Sequence, residues 1–302
     1  MSITGRIIEE RKTYYLVDSP DGPVRATIRG VLKKDKKRVC VGDMVDCQVT
    51  NTDTREGQIL KILPRSRFLK RPPLVNIDQV LLVCTFIEPP FDFEAIDRFL
   101  VCAGAYELYQ IIVFNKCDTM APPGHPPFQT IINTFRAIGY PVLLTSAVTG
   151  EGIDGLTALC KGHVSAFAGL SGVGKSALLS KIFPDRDFKV GELSDMNGRG
   201  THTTTHVSLV PLSGGGYIAD TPGLSYVDLP LVPEEDVATY FPELDRQIGN
   251  CKFNNCIHDN EPGCRVRELV EAGEIAPWRV EHYLKIYQEM KSRRREYRGK
   301  EF

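Results

Sequence analysis

The sequence predicts an α/β protein with a small β-barrel before the α/β domain and a small helical domain after it. Three observations lead to this fold class. Short β-rich segments separated by turn residues fill residues 1–70, strands alternate with helices over residues 71–228, and three cysteines and a histidine cluster within residues 229–302. Strands that alternate with helices predict a parallel sheet with helices on both faces. We take these three ranges as the expected domains.

The composition excludes several classes of protein. The chain has 302 residues, a formal net charge of −1 and nine cysteines. Its longest apolar run, residues 80–87, is far too short to cross a bilayer, and the N-terminal residues lack the apolar stretch of a secretory signal. An odd number of cysteines without such a signal favours reduced thiols or a metal over disulfides. We expect a monomer that does not associate with membranes.

The first 70 residues are predicted to form a small closed barrel. Their β-rich segments are residues 5–8, 13–17, 24–28, 44–49 and 58–63. Five short strands in so small a domain most simply form an OB-like barrel, a fold that often binds nucleic acid. A basic run at residues 33–38 falls in a loop between two strands. This loop either contacts nucleic acid or is merely solvated, and both alternatives stay open.

The middle of the chain is predicted to form the α/β domain. Residues 65–73, which contain paired prolines, are expected to be a linker. Strands are expected at residues 79–84, 110–114, 141–144, 163–168, 207–212 and 216–219, and helices at residues 93–105, 128–138, 153–160 and 177–183. Because strands and helices alternate here, the strands should form one parallel sheet with helices on both faces.

A phosphate-binding loop is predicted between the strand at 163–168 and the helix that follows it. The pattern G-x-x-x-x-G-K-S is formed by Gly169, Leu170, Ser171, Gly172, Val173, Gly174, Lys175 and Ser176, with Ala177 next. Glycines let backbone N–H groups point at phosphate oxygens, and the helix N-terminus adds partial positive charge. Lys175 is expected to reach the β- and γ-phosphates, and Ser176 to bind Mg²⁺. The alternative is a glycine-rich turn with a chance G-K-S, which the flanking strand and helix disfavour.

Two further strand ends carry a predicted guanine-recognition element. Asn115, Lys116 and Asp118 fit the pattern N-K-x-D, and Ser146 and Ala147 belong to a T-S-A sequence about thirty residues later. The aspartate carboxylate only accepts hydrogen bonds, and guanine offers two adjacent donors where adenine offers an acceptor. The asparagine should tie this loop to the phosphate-binding loop, and the lysine stem should cover the base. The Ser-Ala pair should present a backbone N–H to the guanine carbonyl oxygen.

The third part of the predicted nucleotide site is D-T-P-G at residues 220–223. Asp220 is expected to hold Mg²⁺ through water, and the N–H of Gly223 to sense the γ-phosphate. The polar stretch 198–205 before it is typical of a switch loop that the γ-phosphate and Mg²⁺ order. One of its consecutive threonines, Thr203, Thr204 or Thr205, is expected to be the second hydroxyl ligand of Mg²⁺. The alternative for this stretch is an ordinary threonine-rich turn.

These motifs occur in an unusual order along the chain. A GTP-binding domain ordinarily presents the phosphate loop, switch I, D-x-x-G, N-K-x-D and S-A in that order, whereas here N-K-C-D and T-S-A come first. Chain ends in compact domains often lie close together, so the same sheet can be built with the chain cut elsewhere. We therefore predict a circularly permuted P-loop G domain. In this arrangement switch II leads directly into the C-terminal domain, so we expect the nucleotide state to reposition that domain.

The residue after D-T-P-G bears on the rate of hydrolysis. Leu224 stands where a self-sufficient GTPase of the Ras type has a water-orienting glutamine. Leucine cannot orient water, so we expect slow intrinsic hydrolysis and a catalytic contribution from elsewhere. That contribution comes either from His202 in the switch loop or from a partner. The alternative is that His202 is an ordinary loop histidine without a catalytic role.

A metal site is predicted in the C-terminal domain. Cys251, Cys256, His258 and Cys264 combine three soft thiolates with an imidazole, a set that suits tetrahedral Zn²⁺ in a closed structural site. The loop around them is polar and holds little apolar material, so the metal would supply the folding free energy that the loop lacks. The alternative is a group of unrelated reduced thiols.

Two helices are expected after the metal cluster. The first covers residues 266–272, and the second starts at Pro277 and has an apolar stripe made of Val280, Tyr283, Leu284 and Tyr287. The chain ends in a basic segment, residues 291–300. This segment either suits an RNA backbone or is a solvated helix end.

The barrel, the permuted motif order and the metal spacing together resemble the ribosome small subunit-dependent GTPase A family, over essentially the whole chain. The resemblance implies a cytoplasmic GTPase of late small-subunit maturation, whose barrel and zinc module contact ribosomal RNA and whose hydrolysis the subunit stimulates. The family's switch I pattern, G-R-x-x-H-T-T-T, is similar to residues 198–205 and implies that Thr204 binds Mg²⁺. The expected catalytic residues are then His202, Lys175 and Thr204. Thr201 departs from the basic residue that is common there, whereas Leu224 agrees with the family's hydrophobic residue.

Two other classes of function stay open from the sequence. Leu224 also fits a nucleotide-gated RNA-binding module in which hydrolysis is incidental. A small-molecule P-loop kinase is the other class, and the N-K-x-D motif argues against it. On the preferred interpretation the ligands are GTP or GDP with Mg²⁺ and one structural Zn²⁺. The partner is the small ribosomal subunit with its rRNA.

Overall fold

The structure, a computed structural model, describes residues 1–28, 38–70, 73–119, 128–186, 207–220 and 229–298. The strands are β1 (Ser2–Glu10), β2 (Tyr15–Asp18), β3 (Val24–Ile28), β4 (Met44–Asn51), β5 (Glu56–Ile62), β6 (Phe68–Lys70), β7 (Pro73–Val75), β8 (Gln79–Cys84), β9 (Tyr109–Phe114), β10 (Val142–Leu144), β11 (Val164–Ala168), β12 (Ser208–Pro211) and β13 (Tyr217–Asp220). The α-helices are α1 (Phe93–Ala105), α2 (Phe128–Ile138), α3 (Ile153–Cys160), α4 (Lys175–Ile182), α5 (Pro242–Asp245), α6 (Arg265–Glu271) and α7 (Pro277–Arg298). Within the described ranges, no helix has the length and hydropathy that a membrane crossing requires.

Strands β1–β5 form the predicted OB-like barrel. They are ordered β1-β2-β3-β5-β4, and β4 pairs back onto β1, which closes the barrel. Among the described barrel strands, β3 and β5 are the one pair that runs parallel. Gly5 shows how close β1 and β2 lie, because a Cβ atom at this position would stand 2.4 Å from the carbonyl oxygen of Asp18. Any larger residue there would force the two strands apart.

The expectation that residues 65–73 are only a linker is wrong in part. Strands β6 and β7 pair as a short antiparallel hairpin, and Leu69 and Leu74 on them are buried. Just before the hairpin, the Arg65 guanidinium donates to both carboxylate oxygens of buried Asp43, at 2.7 and 2.9 Å. This segment is therefore attached to the barrel. Its main anchor is an aspartate 22 residues earlier in the chain, which no local pattern reveals.

Strands β8–β13 form the central sheet, in the order β10-β9-β8-β11-β13-β12. The first five strands are parallel, as predicted, but β12 runs antiparallel to β13 at the edge. The reason is the connection: only residues 212–216 join β12 to β13, whereas a parallel pairing needs a crossover of a dozen residues or more.

Both faces of the central sheet are covered by helices. On one face, Leu82 and Phe114 share an apolar cluster with residues of α1 and α2. On the other, Leu81 and Val113 share a second cluster with residues of α3 and α4. Successive side chains of a strand point to opposite faces of the sheet, and here both faces are covered by apolar side chains. The sequences of these strands are therefore continuous apolar runs.

The barrel and the central sheet are continuous. Strand β1 pairs with β12, with Glu9 opposite Ser208, so the barrel strands extend the central sheet into one sheet of eleven described strands. Beside this pairing the Tyr217 hydroxyl donates to the Asp18 carboxylate at 2.8 Å. We call the contacts between β1–β2 and β12–β13 the junction.

The C-terminal region, residues 229–298, packs on α1. It begins with a 3-10 helix (Glu234–Tyr240), followed by α5, α6 and α7. The predicted stripe on α7 is confirmed, because Val280, Tyr283 and Tyr287 are buried and Leu284 is half-buried.

Two arginines of the basic C-terminal segment make hydrogen bonds within the molecule. Arg293 on α7 donates to the carbonyl oxygen of Leu229 at 3.0 Å, and Arg294 donates to the Glu234 carboxylate at 2.9 Å. These two arginines fix the helix to the segment that follows D-T-P-G. Residues 299–300 of the basic segment lie outside the described residues.

A buried group of charges, which we call the charge cluster, joins α7 to α1 and α5. It consists of Asp97 on α1, Glu243 on α5, and Arg279 and His282 on α7. The guanidinium of Arg279 binds the carboxylates of both Asp97 and Glu243, and His282 Nδ1 lies 2.7 Å from the other Asp97 oxygen. All four side chains are buried. The C-terminal region is thus docked on the α/β domain through paired charges.

Candidate functional site

The predicted nucleotide motifs meet at one edge of the central sheet. Strands β8, β9, β10, β11 and β13 are parallel, so their carboxyl ends lie together. The G-x-x-x-x-G-K-S loop follows β11, Asn115 follows β9, and Thr145 and Ser146 follow β10. In open α/β sheets this edge is where ligands bind.

The phosphate-binding loop turns sharply between β11 and α4. Gly169 and Gly174 have φ values of 136° and 93°, a region that favours glycine. A Cβ atom on Gly169 would stand 2.1 Å from the Val83 carbonyl oxygen, so the loop packs directly against β8. Helix α4 starts at Lys175, two residues earlier than predicted. The lysine and the adjacent Ser176 therefore lie in its first turn, where the N-terminal N–H groups are free to bind an anion.

The ammonium group of Lys175 is held over the loop. Its Nζ donates to the carbonyl oxygens of Gly169 at 2.7 Å and Leu170 at 2.9 Å. Burial lowers the pKa of Lys175 to about 8. Phosphate oxygens placed here would favour the charged form and raise this pKa again.

Asn115 connects the base-recognition loop to the phosphate-binding loop. Its buried side chain donates from Nδ2 to the Val173 carbonyl oxygen at 2.8 Å and accepts from the Thr145 hydroxyl at 3.1 Å. The contact with the loop is tight, because a Cβ on Gly174 would stand 2.4 Å from the same Nδ2. Three motifs far apart in the sequence are thereby fixed to one another.

Asp118 and Ser146 form the base end of the site. The Ser146 hydroxyl donates to the exposed Asp118 carboxylate at 2.5 Å and accepts from the N–H groups of Val148 and Thr149. The N–H of Ser146 itself is used by the Glu151 carbonyl oxygen, at 3.0 Å. Among the described residues, none offers the Ala147 N–H an acceptor. Of the two predicted residues, Ala147 is thus the one whose N–H is available to a ligand.

The loop at residues 85–92, which follows β8, completes the wall of the site. The Nζ of Lys116 donates to the Glu88 carbonyl oxygen at 2.7 Å. Pro89 lies beside Gly172 of the phosphate-binding loop, 3.6 Å from where a Cβ would stand. Neither Glu88 nor Pro89 was expected from the sequence, because Glu88 acts through its carbonyl oxygen and Pro89 by packing.

Two further residues of the site were also missed. Thr145 holds the Asn115 amide and Glu151 accepts from Ser146. Thr145 is part of the T-S-A sequence, so the motif itself carried the signal, whereas Glu151 again acts through its backbone and leaves no trace in a side-chain pattern.

The predicted switch residues fall outside the described residues. His202, Thr203, Thr204 and Thr205 lie in the undescribed stretch 187–206, and Gly223 and Leu224 in 221–228. The backbone of Asp220 ends β13 beside the phosphate-loop strand, but its side chain is not described. Of the predicted Mg²⁺ ligands, the Ser176 side chain is the one the structure places. Residues 33–37 of the basic barrel loop are likewise outside the described ranges.

The four predicted metal ligands lie together in the C-terminal region. The ligand atoms of Cys251, Cys256, His258 and Cys264 are all within 4.8 Å of one another. The three sulfur atoms stand 3.6, 3.6 and 3.5 Å from His258 Nδ1. With Zn–S near 2.3 Å and Zn–N near 2.0 Å, a tetrahedral zinc site requires sulfur–nitrogen distances of about 3.5 Å. The donor set and its spacing therefore fit Zn²⁺.

The surroundings of the cluster match a closed structural site. The N–H of Arg265 donates to Cys251 Sγ at 3.3 Å, and the Tyr283 ring lies 6.0 Å from the His258 ring. Burial lowers the pKa of His258, which favours the neutral imidazole that binds metals. Cys264 belongs to the apolar cluster that α6 and α7 share. A metal here would pin the loop to that core.

Sequence comparison gives two matches to known protein families. The family described as RsgA GTPase matches residues 62–230, and the one described as RsgA N-terminal domain matches residues 4–59. The chain is 41% identical to the small ribosomal subunit biogenesis GTPase RsgA of Geobacillus sp. (strain WCH70), over 97% of this chain and 99% of the relative. It is 40% identical to the protein of the same name from Moorella thermoacetica (strain ATCC 39073 / JCM 9320), with the same coverage.

Two solved structures resemble the chain over nearly their whole length. The crystal structure of YjeQ from Thermotoga maritima has a TM-score of 0.82 and 33% identity, and the match covers 96% of this chain and 99% of that one. The structure of YloQ, described as a circularly permuted GTPase, has a TM-score of 0.81 and 32% identity, with coverage of 97% and 96%. The order of strands in the central sheet is thus that of a circularly permuted GTPase.

Proposed function

Because the chain belongs to the RsgA GTPase family, we propose that it hydrolyses GTP to GDP and phosphate in the biogenesis of the small ribosomal subunit. One observation in the molecule carries this proposal. The Asn115 side chain donates to the Val173 carbonyl oxygen, which joins the guanine-recognition loop to the phosphate-binding loop. A P-loop kinase of small molecules does not need this N-K-x-D element.

Guanine is selected by the base end of the site. The Asp118 carboxylate accepts from the ring N1–H and the exocyclic amine of guanine, while the Ala147 N–H donates to the carbonyl oxygen of the base. Adenine would place an acceptor against the carboxylate and a donor against the N–H. Such mismatched polar groups give large discrimination, by factors of about 10⁴–10⁵ where a buried site is built for the hydrogen bonds. The Ser146 hydroxyl holds the carboxylate in place for this contact.

The triphosphate is bound at the start of α4. Backbone N–H groups of the glycine-rich loop and the Lys175 ammonium face the phosphate oxygens. The Ser176 hydroxyl is the described group that would hold Mg²⁺, with Asp220 and Thr204 as its other expected ligands. Mg²⁺ held by these residues would supply positive charge against the phosphate oxygens and so favour the negative charge that develops there during hydrolysis.

Hydrolysis is slow in the isolated protein and is stimulated by the small subunit. Leu224 offers no group that orients the attacking water. His202 in the switch loop, or the subunit itself, supplies this function. The barrel and the zinc-binding region contact ribosomal RNA, and the enzyme acts late in maturation as a monomer in the cytoplasm. The zinc ion has a structural role, because all four of its positions are filled by protein ligands.

Hydrolysis rates test this proposal. GTP hydrolysis is measured for the protein alone, with small subunits and with large subunits. Strong stimulation by small subunits only is expected, and a partner that completes a GTPase site can give about 10⁵-fold. Equal slow rates in all three mixtures would refute subunit-stimulated hydrolysis and leave a nucleotide-gated RNA-binding module as the better account. An Asp118→Ala variant is the control for hydrolysis by contaminating enzymes.

A further inference from the structure

The barrel is attached to the part of the central sheet from which both switch stretches extend. Strand β12 begins at Ser208, with one residue between it and the stretch 187–206 that holds the switch I motif. Strand β13 ends at Asp220, directly before the stretch 221–228, which begins with the remaining residues of D-T-P-G. The β12–β13 hairpin is therefore the common base of both switches.

Main-chain pairing fixes this hairpin to the barrel at its nucleotide end. Ser208 is opposite Asp220 within the hairpin, and on its other side it is opposite Glu9 of β1. Strand β1 of the barrel thus pairs with β12 at the same level as Asp220, the predicted Mg²⁺ ligand.

A polar contact ties the other end of the hairpin to the barrel. The hydroxyl of Tyr217, at the start of β13, donates to the carboxylate of Asp18 on β2 at 2.8 Å. The guanidinium of Arg6 on β1 lies 5.3 Å from the centre of the Tyr217 ring. Burial and the nearby Asp18 raise the pKa of Tyr217 to about 12, so the phenol keeps its proton and remains a donor.

Buried apolar side chains of the barrel and of the β12 region also belong to one cluster. Ile8 of β1 is buried in the same cluster as Val207 and Leu209 of the hairpin, and Leu16 of β2 packs against that cluster. The hairpin cannot slide or tilt against the barrel without exposing these side chains and breaking the hydrogen bonds. Barrel and hairpin positions are therefore linked.

We propose that the junction transmits subunit binding from the barrel to the switches, and that Tyr217 is the positioning residue that holds the hairpin to the barrel. The inference rests on the proposed function, since it concerns how the small subunit accelerates hydrolysis. When the barrel engages ribosomal RNA, its displacement moves the hairpin and with it the two points from which the switch stretches extend. Packed elements of this kind respond as units rather than by continuous deformation.

The test separates hydrolysis from binding. Tyr217→Phe and Asp18→Ala each remove the same hydrogen bond, and the intrinsic rate, the stimulated kcat and the KM for small subunits are measured for each. We expect the stimulated kcat to fall at least tenfold while the intrinsic rate and the KM stay within about twofold of the unmodified protein. Because both variants remove one interaction, the double variant should be no worse than either single variant.

A matched control lies within the barrel. The Thr4 hydroxyl donates to Asp46 at 2.8 Å, between β1 and β4 and away from the junction. The Thr4→Val variant should retain full stimulation. If it loses stimulation as Tyr217→Phe does, the effect reflects general damage to the barrel and the inference is overturned.

The remaining outcomes distinguish the inference from the function on which it rests. If the unmodified protein is not stimulated by small subunits, the proposed function fails and the inference falls with it. If the unmodified protein is stimulated and Tyr217→Phe is stimulated equally, only the inference fails. If the junction variants have a raised KM for small subunits and an unchanged stimulated kcat, the inference is also overturned, because the junction would then contribute to subunit binding alone.

Discussion

Replacing Arg279 by leucine should release the C-terminal region from the α/β domain. The guanidinium binds the carboxylates of Asp97 and Glu243 and lies 4.5 Å from the centre of the Phe241 ring. The Arg279 side chain is 1% exposed, and those of Asp97 and Glu243 are 0% and 8% exposed. Leucine fills part of the volume but leaves two carboxylates in the interior without their cation.

The expected cost follows from this burial. Removing one partner of a buried ion pair costs about 3–5 kcal/mol, because the other charge stays buried without compensation. Here two carboxylates lose the same cation, so we expect the upper part of that range. His282 stays beside Asp97, and it limits the loss at that carboxylate.

The destabilisation should depend on pH. Burial already raises the pKa of Asp97, and Arg279 opposes that shift. In the Arg279→Leu variant the pKa of Asp97 therefore rises further above its unfolded value. Between these two values the folded state binds more protons than the unfolded state, so stability falls as pH rises. The deficit relative to the unmodified protein should be larger at pH 7.5 than at pH 5, by about 1.4 kcal/mol for each pH unit between the pKa of Asp97 in the unmodified protein and its higher pKa in the variant.

The single tryptophan of the chain reports on this docking. Trp278 precedes Arg279, and its ring packs against Phe93 of α1 and Phe135 of α2. Denaturant unfolding followed by tryptophan fluorescence, at both pH values, therefore measures the release of α7. Lys285→Met is the control, since Lys285 binds Glu94 at the surface of the same two helices. The control should unfold at the same denaturant concentration as the unmodified protein.

Two results would refute this reasoning. One is an Arg279→Leu variant whose unfolding free energy lies within about 1 kcal/mol of the unmodified protein at pH 7.5, which would show that the carboxylates are not isolated by burial. The other is a deficit that does not shrink at pH 5. A variant that also carries Asp97→Asn and Glu243→Gln should recover part of the loss, because no buried charge then lacks its partner.

Three further predictions concern the nucleotide site and the metal. Asp118→Asn should lower GDP affinity by about 100-fold or more and favour xanthine nucleotides, whose carbonyl accepts from the new amide; competition with a fluorescent nucleotide measures both. Cys256→Ser should abolish stoichiometric zinc in metal analysis, whereas Cys117→Ser, outside the cluster, should retain it. Since burial lowers the pKa of Lys175 to about 8 and phosphates restore its charge, GDP binding at pH 8.5 should take up protons and weaken relative to pH 7. Calorimetry in buffers of different ionisation enthalpy measures the uptake, and its absence would contradict the prediction.

Local patterns were sufficient to predict most elements of the α/β domain. Helices α1, α2 and α3 have the predicted bounds, because their apolar positions recur with the helical period between clear breaks. The P-loop and the N-K-x-D motif were equally visible, since each needs particular residues within a few positions. Their meeting at one sheet edge follows from the strands being parallel.

Long-range polar pairs could not be predicted in the same way. Arg279 and Asp97 are 182 residues apart, and Tyr217 and Asp18 are 199 apart. No periodicity or spacing connects such residues, and an arginine on a helix is ordinarily a surface residue. The same limit explains why Arg65 and its hairpin were taken for a linker. What the sequence hides is how the three parts of the chain attach to one another.

The permuted strand order has a consequence for how the protein is made. Strand β8, buried at all six positions, has β9 on one side and β11 on the other, and β11 is synthesised about eighty residues after β8. At about 5–20 residues per second, translation takes roughly 4–16 seconds to cover that distance. Throughout that interval the nascent chain carries an open apolar strand edge, the kind of edge that pairs with other chains. Binding of GTP cannot shorten the time for which this strand edge is exposed, because the phosphate-binding loop of the protein follows β11 in the sequence and is translated after it.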